Sequence, residues 1–179
     1  GGYWVGFDAG EYGGALYSFS PDGKTRHPLA TENVVGFADL RNGTIVVTGL
    51  AHLGMSVGHL AIVSGSVESA HVAPWLDLGG AAETFFVESP ESMLVLTTGG
   101  LYRITACGDM NRIARTNYDA LYPSSMLVDS RGVIWIGMRQ FVVRWIPGEN
   151  GTYREEWLTS SDCTEMTREK FECRCRGGS

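Results

Sequence analysis

The chain has 179 residues, of which 44% are hydrophobic and 19% charged, and a formal net charge of −6. That balance suits one globular core and argues against a general nucleic-acid or anionic-membrane binder, whose affinity would need a basic surface. No stretch approaches the roughly 20 apolar residues that cross a bilayer as a helix, and no basic segment followed by an apolar run marks a signal peptide.

Taken in chain order, the apolar runs recur in a fixed pattern. Residues 3–6 (Tyr-Trp-Val-Gly) and 16–19 (Leu-Tyr-Ser-Phe) predict two strands, with a more polar one near 24–29. Residues 34–39, 45–48 and 59–62 predict the next unit, with a polar strand near 68–73. The third unit reads 84–88, 94–97 and 101–104, then 111–115; the fourth reads 126–129, 134–137 and 142–145, then 152–158. The 24 glycines and six prolines are spread between these runs, as tight turns require. Asp39-Leu40-Arg41-Asn42-Gly43 and Asp129-Ser130-Arg131-Gly132 read as hairpin turns, because Asp bonds its own following backbone and Gly or Asn takes positive φ. The units recur about every 42 residues, the period of a four-stranded propeller blade.

The reading is therefore all-β: a β-propeller of about four repeats over residues 1–158, whose first blade lacks its inner strand. A β-sandwich is the alternative, since it also spaces short strands evenly. Residues 159–179 form a polar, Cys-containing tail with no clear period-2 alternation. Three routes could complete the ring: an atypical strand from the tail, a segment preceding residue 1, or a second chain.

Asp129, Gly132, Trp135, Gly137 and Arg144 mark the stretch 126–147. This stretch resembles the propeller repeat of bacterial two-component sensor ectodomains, roughly D-x-x-G-x-[LI]-W-[IV]-G-T followed by G-L-x-R-[FY]. Met138 stands where that repeat has Thr, and Trp4, Gly6 and Asn42-Gly43 echo it in other units. The resemblance implies a bacterial propeller of extracytoplasmic type. It implies no sensing function, because such a repeat is a scaffold used for many purposes.

Candidate chemistry falls on the long, dissimilar connections 7–15, 49–58, 98–100 and 138–141, with 30–33, 74–82 and 116–124. Variable loops on a rigid scaffold are where binding sits. They carry Glu11, Tyr12, His52, Asp77, Tyr118, Tyr122 and Arg139 as candidate partner contacts. Residues 49–58 are an insertion relative to the other units. They read either as a binding loop with His52 as polar contact or general base, or as a lengthened hairpin capped by Leu50, Leu53 and Met55. His59 aligns with Leu16, Leu101 and Val142, so it is expected to point inward. The glycine-rich loop 7–14 lacks the following helix and Lys-Ser/Thr pair of a phosphate cradle, and no metal motif or Gly-x-Ser-x-Gly elbow occurs.

The four cysteines, Cys107, Cys163, Cys173 and Cys175, suit two disulfides in an oxidising compartment, one of them tying the tail to Cys107. The expected function is non-catalytic binding by a secreted or periplasmic propeller, without a cofactor. The loop face is aromatic, with Tyr12, Trp75, Tyr118 and Tyr122, which favours a protein partner over a small ligand, an inhibitor or immunity protein being one form of it. The alternatives are a lyase- or lactonase-type enzyme using His52 with Glu11 or Asp77, and one portion of a larger ring.

Overall fold

A computed structural model describes residues 1–159, 163–167 and 172–175. The protein is all-β, with 59% of residues in strands and only three single turns of 3-10 helix among the described residues. Among the described residues, no helix is long and apolar enough to cross a membrane. Two compact units form, Gly1–Asn117 and Tyr118–Ser179.

In the first unit, β1 (Tyr3–Asp8), β2 (Gly14–Phe19) and β3 (Arg26–Ala30) form a three-stranded antiparallel sheet in chain order. Next come β4 (Val34–Leu40) and β5 (Gly43–Thr48), after which the chain leaves the sheet as a separate ribbon, β6 (Leu50–His52) and β7 (Met55–Val57). It returns as β8 (His59–Ser64) and β9 (His71–Asp77), giving the order β4-β5-β8-β9. A third sheet runs β10 (Ala82–Ser89), β11 (Ser92–Thr97), β12 (Gly100–Thr105) and β13 (Met110–Ala114). Every strand predicted over this region is present, and the first sheet has one strand fewer than the others, as its sequence implied.

The interior follows from the pattern of each strand. Ile45, Val46 and Val47 of β5 are all buried, so that strand reads as a continuous apolar run rather than an alternation. Ile45 and Val47 join Ala38, Leu60, Met93, Val95 and Ile104 in a cluster shared by the second and third sheets. Val46 and Val63 point the other way, packing with Leu16, Val34 and Trp4 against the first sheet. Two glycines permit this stacking. A Cβ on Gly6 would lie 2.3 Å from Val34 Cγ1, and one on Gly36 would lie 2.7 Å from Phe85 Cε1.

In the second unit, β14 (Ser125–Val128), β15 (Ile134–Gly137), β16 (Val142–Pro147) and β17 (Tyr153–Leu158) form a fourth antiparallel meander. The tail also pairs, β18 (Cys163–Thr167) with β19 (Glu172–Cys175), placing Cys163 opposite Cys175 in the backbone register. The sequence showed no alternation there, because runs of four and five residues rich in charge are too short to display a period.

Candidate functional site

The site in the first unit is built around Asn33, a buried residue between β3 and β4. Its Nδ2 donates to Asp8 Oδ1 at 2.5 Å, to the Gly10 carbonyl at 2.9 Å and to the Gly13 carbonyl at 3.3 Å. Asp8 Oδ1 also accepts from the Gly10 amide at 2.8 Å. One amide side chain thus gathers the whole 8–13 loop, whose glycines offer their backbone carbonyls to it. The Asn33 carbonyl meanwhile accepts from the Gly49 amide at 3.0 Å, at the root of the inserted ribbon. Asn33 therefore positions both loops, and nothing in its sequence context signals this.

The ribbon is tied on its other side as well. Ser56 Oγ accepts from the Ala81 amide at 2.8 Å and bonds Thr98 Oγ1 at 2.7 Å. Between these anchors, His52 stands opposite Met55 across a two-residue turn, Leu53 and Gly54. Both turn residues have positive φ, 46° and 84°. Asn-Gly is the usual occupant of such a turn, and a γ-branched side chain is strained there. Leu53 is nevertheless 92% exposed, gaining no burial in return. Met55, Val57 and Tyr12, the last 88% exposed, add to the exposed apolar surface of these two loops.

Glu11 and His52, two of the candidate contacts, come together, with His52 Nε2 and Glu11 Oε2 2.6 Å apart. More than a third of each side chain is open to water, so the pair contributes at most about 1 kcal/mol and serves mainly to hold the ribbon against the 8–13 loop. A carboxylate–imidazole pair can activate a hydroxyl or thiol, but none is bonded to His52 among the described residues. No group of three His, Cys, Asp or Glu converges either, within the same residues.

The remaining expected contacts are placed differently. Asp77 shapes a turn, its Oδ1 accepting from the Gly79 amide at 2.8 Å. Trp75 is partly buried against the shared cluster of the second and third sheets. In the second unit, Tyr122 is exposed with the Arg139 guanidinium 5.5 Å from its ring centroid, and the Arg139 amide donates to the Leu121 carbonyl. Tyr118, expected as an exposed contact, is only 5% exposed. Its hydroxyl donates to Glu155 and accepts from Trp145 Nε1 at 3.0 Å, while its ring meets Trp157 edge-on. Burial and the Glu155 carboxylate push its phenol far above the ordinary tyrosine range. Tyr118 belongs to the aromatic interior of that unit.

His59 also departs from expectation, being exposed. Leu60 pairs with Val47 as Leu101 pairs with Leu96, so Leu60 holds the inward place and His59 falls one position earlier. A shift of one residue turns a strand side chain to the other face. The expected bond from Cys107 to the tail is not made: Cys107 is an exposed free thiol whose Sγ accepts from Arg41 Nη2 at 2.9 Å. The side chains of Cys163, Cys173 and Cys175 lie outside the described residues.

The repeat motif of residues 126–147 resolves into turn and sheet chemistry. Asp129 Oδ1 accepts from the Arg131 and Val133 amides at 2.9 and 3.0 Å, and its Oδ2 accepts from Trp135 Nε1 at 3.3 Å. Desolvation alone would raise the Asp129 pKa, but these hydrogen bonds and one from the Arg131 side chain outweigh it and hold the value at about 2. Arg144 lies 5.5 Å from the Trp135 ring centroid and donates from Nε to Glu156 at 2.6 Å. The polar side chains of Asp129, Trp135 and Arg144 thus find their partners within one sheet and its turn.

No family model and no curated protein matches the chain. Among solved structures, the crystal structure of a protein from Lactobacillus plantarum is similar in fold, with a TM-score of 0.55 at 12% identity. The match covers 90% of this chain and 54% of that protein, so the chain spans about half the length of its structural neighbour.

Proposed function

We propose that the chain is a non-catalytic binding scaffold of β-propeller type, holding a protein partner through the β6–β7 ribbon and the 8–13 loop. The four meanders of common strand order, recurring about every 42 residues, support the propeller architecture. The Lactobacillus neighbour, similar over 90% of this chain, supports a β-rich fold. An extracytoplasmic setting goes with the resemblance of the fourth meander to sensor ectodomain repeats.

The observation that carries the binding reading is Leu53, a strained and almost fully exposed apolar residue at the tip of an otherwise well-anchored insertion. Backbone strain at an exposed position gives the fold nothing, and strain of this kind gathers at ligand-holding segments. With Tyr12, Met55 and Val57 around it, the tip offers the apolar and aromatic anchors that dominate protein interfaces. The test is co-purification from the source organism with immobilised protein. A partner retained by the native chain and by Arg41→Ala, but lost with Leu53→Asp and Tyr12→Ala, supports this site. Loss with Arg41→Ala, on a hairpin turn away from these loops, and retention with Leu53→Asp would refute it.

A further inference from the structure

A cleft of about 340 Å³ opens between the first two sheets, within one compact unit. Its open walls are aliphatic, Leu29, Ala30, Val72 and Pro74, over a closed floor of Leu16, Val46 and Leu60. A shallower recess of about 150 Å³ beside the root of the β6–β7 ribbon shares Glu32, Thr48 and His59 with it, so these three residues mark the mouth. Thr48 is already engaged there, its hydroxyl donating to the His59 carbonyl and accepting from the His59 amide, both at 3.1 Å.

The charge at the mouth is one-sided. Glu32 is exposed and makes no ion pair among the described residues. It is the one carboxylate in either lining, and no lysine or arginine lines either cavity. The His59 ring has no hydrogen-bond partner among the described residues. An aliphatic cleft would take an alkyl or aryl body, and a mouth with one unpaired carboxylate and no cation selects a positive head group over a negative or neutral one.

We propose that this cleft binds a small cationic amphiphile, a primary amine on an apolar body of about eight to ten carbon atoms. The body lies between the first two sheets, and the ammonium donates to Glu32 and to the unprotonated nitrogen of His59. The site stands independently of the partner-binding reading, since none of its walls belongs to the exposed tip of the ribbon.

The test is calorimetric titration of the whole chain at pH 8 with n-octylammonium, 1-octanol and octanoate, each below its aggregation limit. Saturable octylammonium binding at least ten-fold tighter than octanol, with octanoate weakest, is expected. Glu32→Gln should reduce the preference over octanol to less than three-fold. Val72→Phe, which fills the cleft, should weaken all three ligands. Should that variant fail to fold, as judged by circular dichroism, the exposed Glu32→Gln decides alone. Absence of saturable binding, equal affinity for the three ligands, or an unchanged preference in Glu32→Gln would overturn the assignment. Leu53→Asp is expected to leave octylammonium affinity unchanged, so loss of a protein partner and loss of the amine site are separately readable.

Discussion

Two positive-φ dipeptides in this chain have nearly the same backbone and opposite logic. Asn150-Gly151, at the hairpin joining β16 to β17, adopts φ of 57° and 74° with the residues that tolerate them best. Leu53-Gly54, at the tip of the inserted ribbon, adopts 46° and 84° with a leucine in the place of that asparagine. The contrast extends to the surrounding regions. In the fourth meander, Asp129, Trp135, Arg144 and Glu156 satisfy one another, leaving little free for recognition. Around the ribbon, Asn33, Ser56 and the Glu11–His52 pair anchor a frame, and what the frame displays is apolar and unpartnered. One region's side chains complete a fold; the other's are held out from it.

The largest expected effect breaks the satisfied region. Tyr118→Ala removes a buried ring and the partner of the Trp145 indole, and should cost about 3–5 kcal/mol of unfolding free energy. Tyr118→Phe keeps the ring but orphans the buried Trp145 N–H, and should cost roughly 1–3 kcal/mol. Chemical denaturation checks both. A change within about 0.5 kcal/mol for Tyr118→Ala would mean that the ring is a surface contact after all.

A smaller effect sharpens the role of the Asp129 turn through pH. Its carboxyl titrates near 2 in the folded protein, below its ordinary value, so the ionised form is favoured by folding. That stabilisation is complete above about pH 4 and is lost as pH falls toward 2. The difference in thermal midpoint between the native chain and Asp129→Asn should hold steady from pH 7 to pH 5 and narrow between pH 4 and pH 2. A difference as large at pH 2.5 as at pH 7 would show that the ionised carboxylate does not hold the turn.

Cys107 gives a further check on the described side chains. An alkylating reagent added to native, unreduced protein should modify it, since its thiol is exposed and free. Protection of Cys107 until reduction would restore the disulfide to the tail.

How legible this was in the sequence divides along the same line as the two regions. The strands of all four meanders were readable because their apolar runs are bounded by Asp, Asn and Gly turn chemistry and recur at a common spacing. The repeat motif was readable as scaffold, and the structure gives each of its residues a local bond. The pairing of Glu11 with His52 was approachable, since both lie on lengthened connections. Asn33 was not, because an asparagine before a strand carries no mark of which loops its amide will gather. Tyr118 misled because a tyrosine on a connecting segment reads alike whether the segment lies over the core or over solvent. His59 misled by a single position of register, which pattern alignment over four residues cannot fix when the flanking residues on both faces are apolar.

The smallest effect tests the contrast most directly: the thermal midpoint of Leu53→Asn, measured beside the native chain. Leucine in the left-handed region costs roughly 1–2 kcal/mol, most of which asparagine avoids. With Leu53 held against stability, the variant should unfold later by roughly 2–5 °C, as about 1 kcal/mol gives in a unit of this size. An earlier midpoint would show that the Leu53 side chain supports the ribbon, and that the tip is structure rather than a displayed contact.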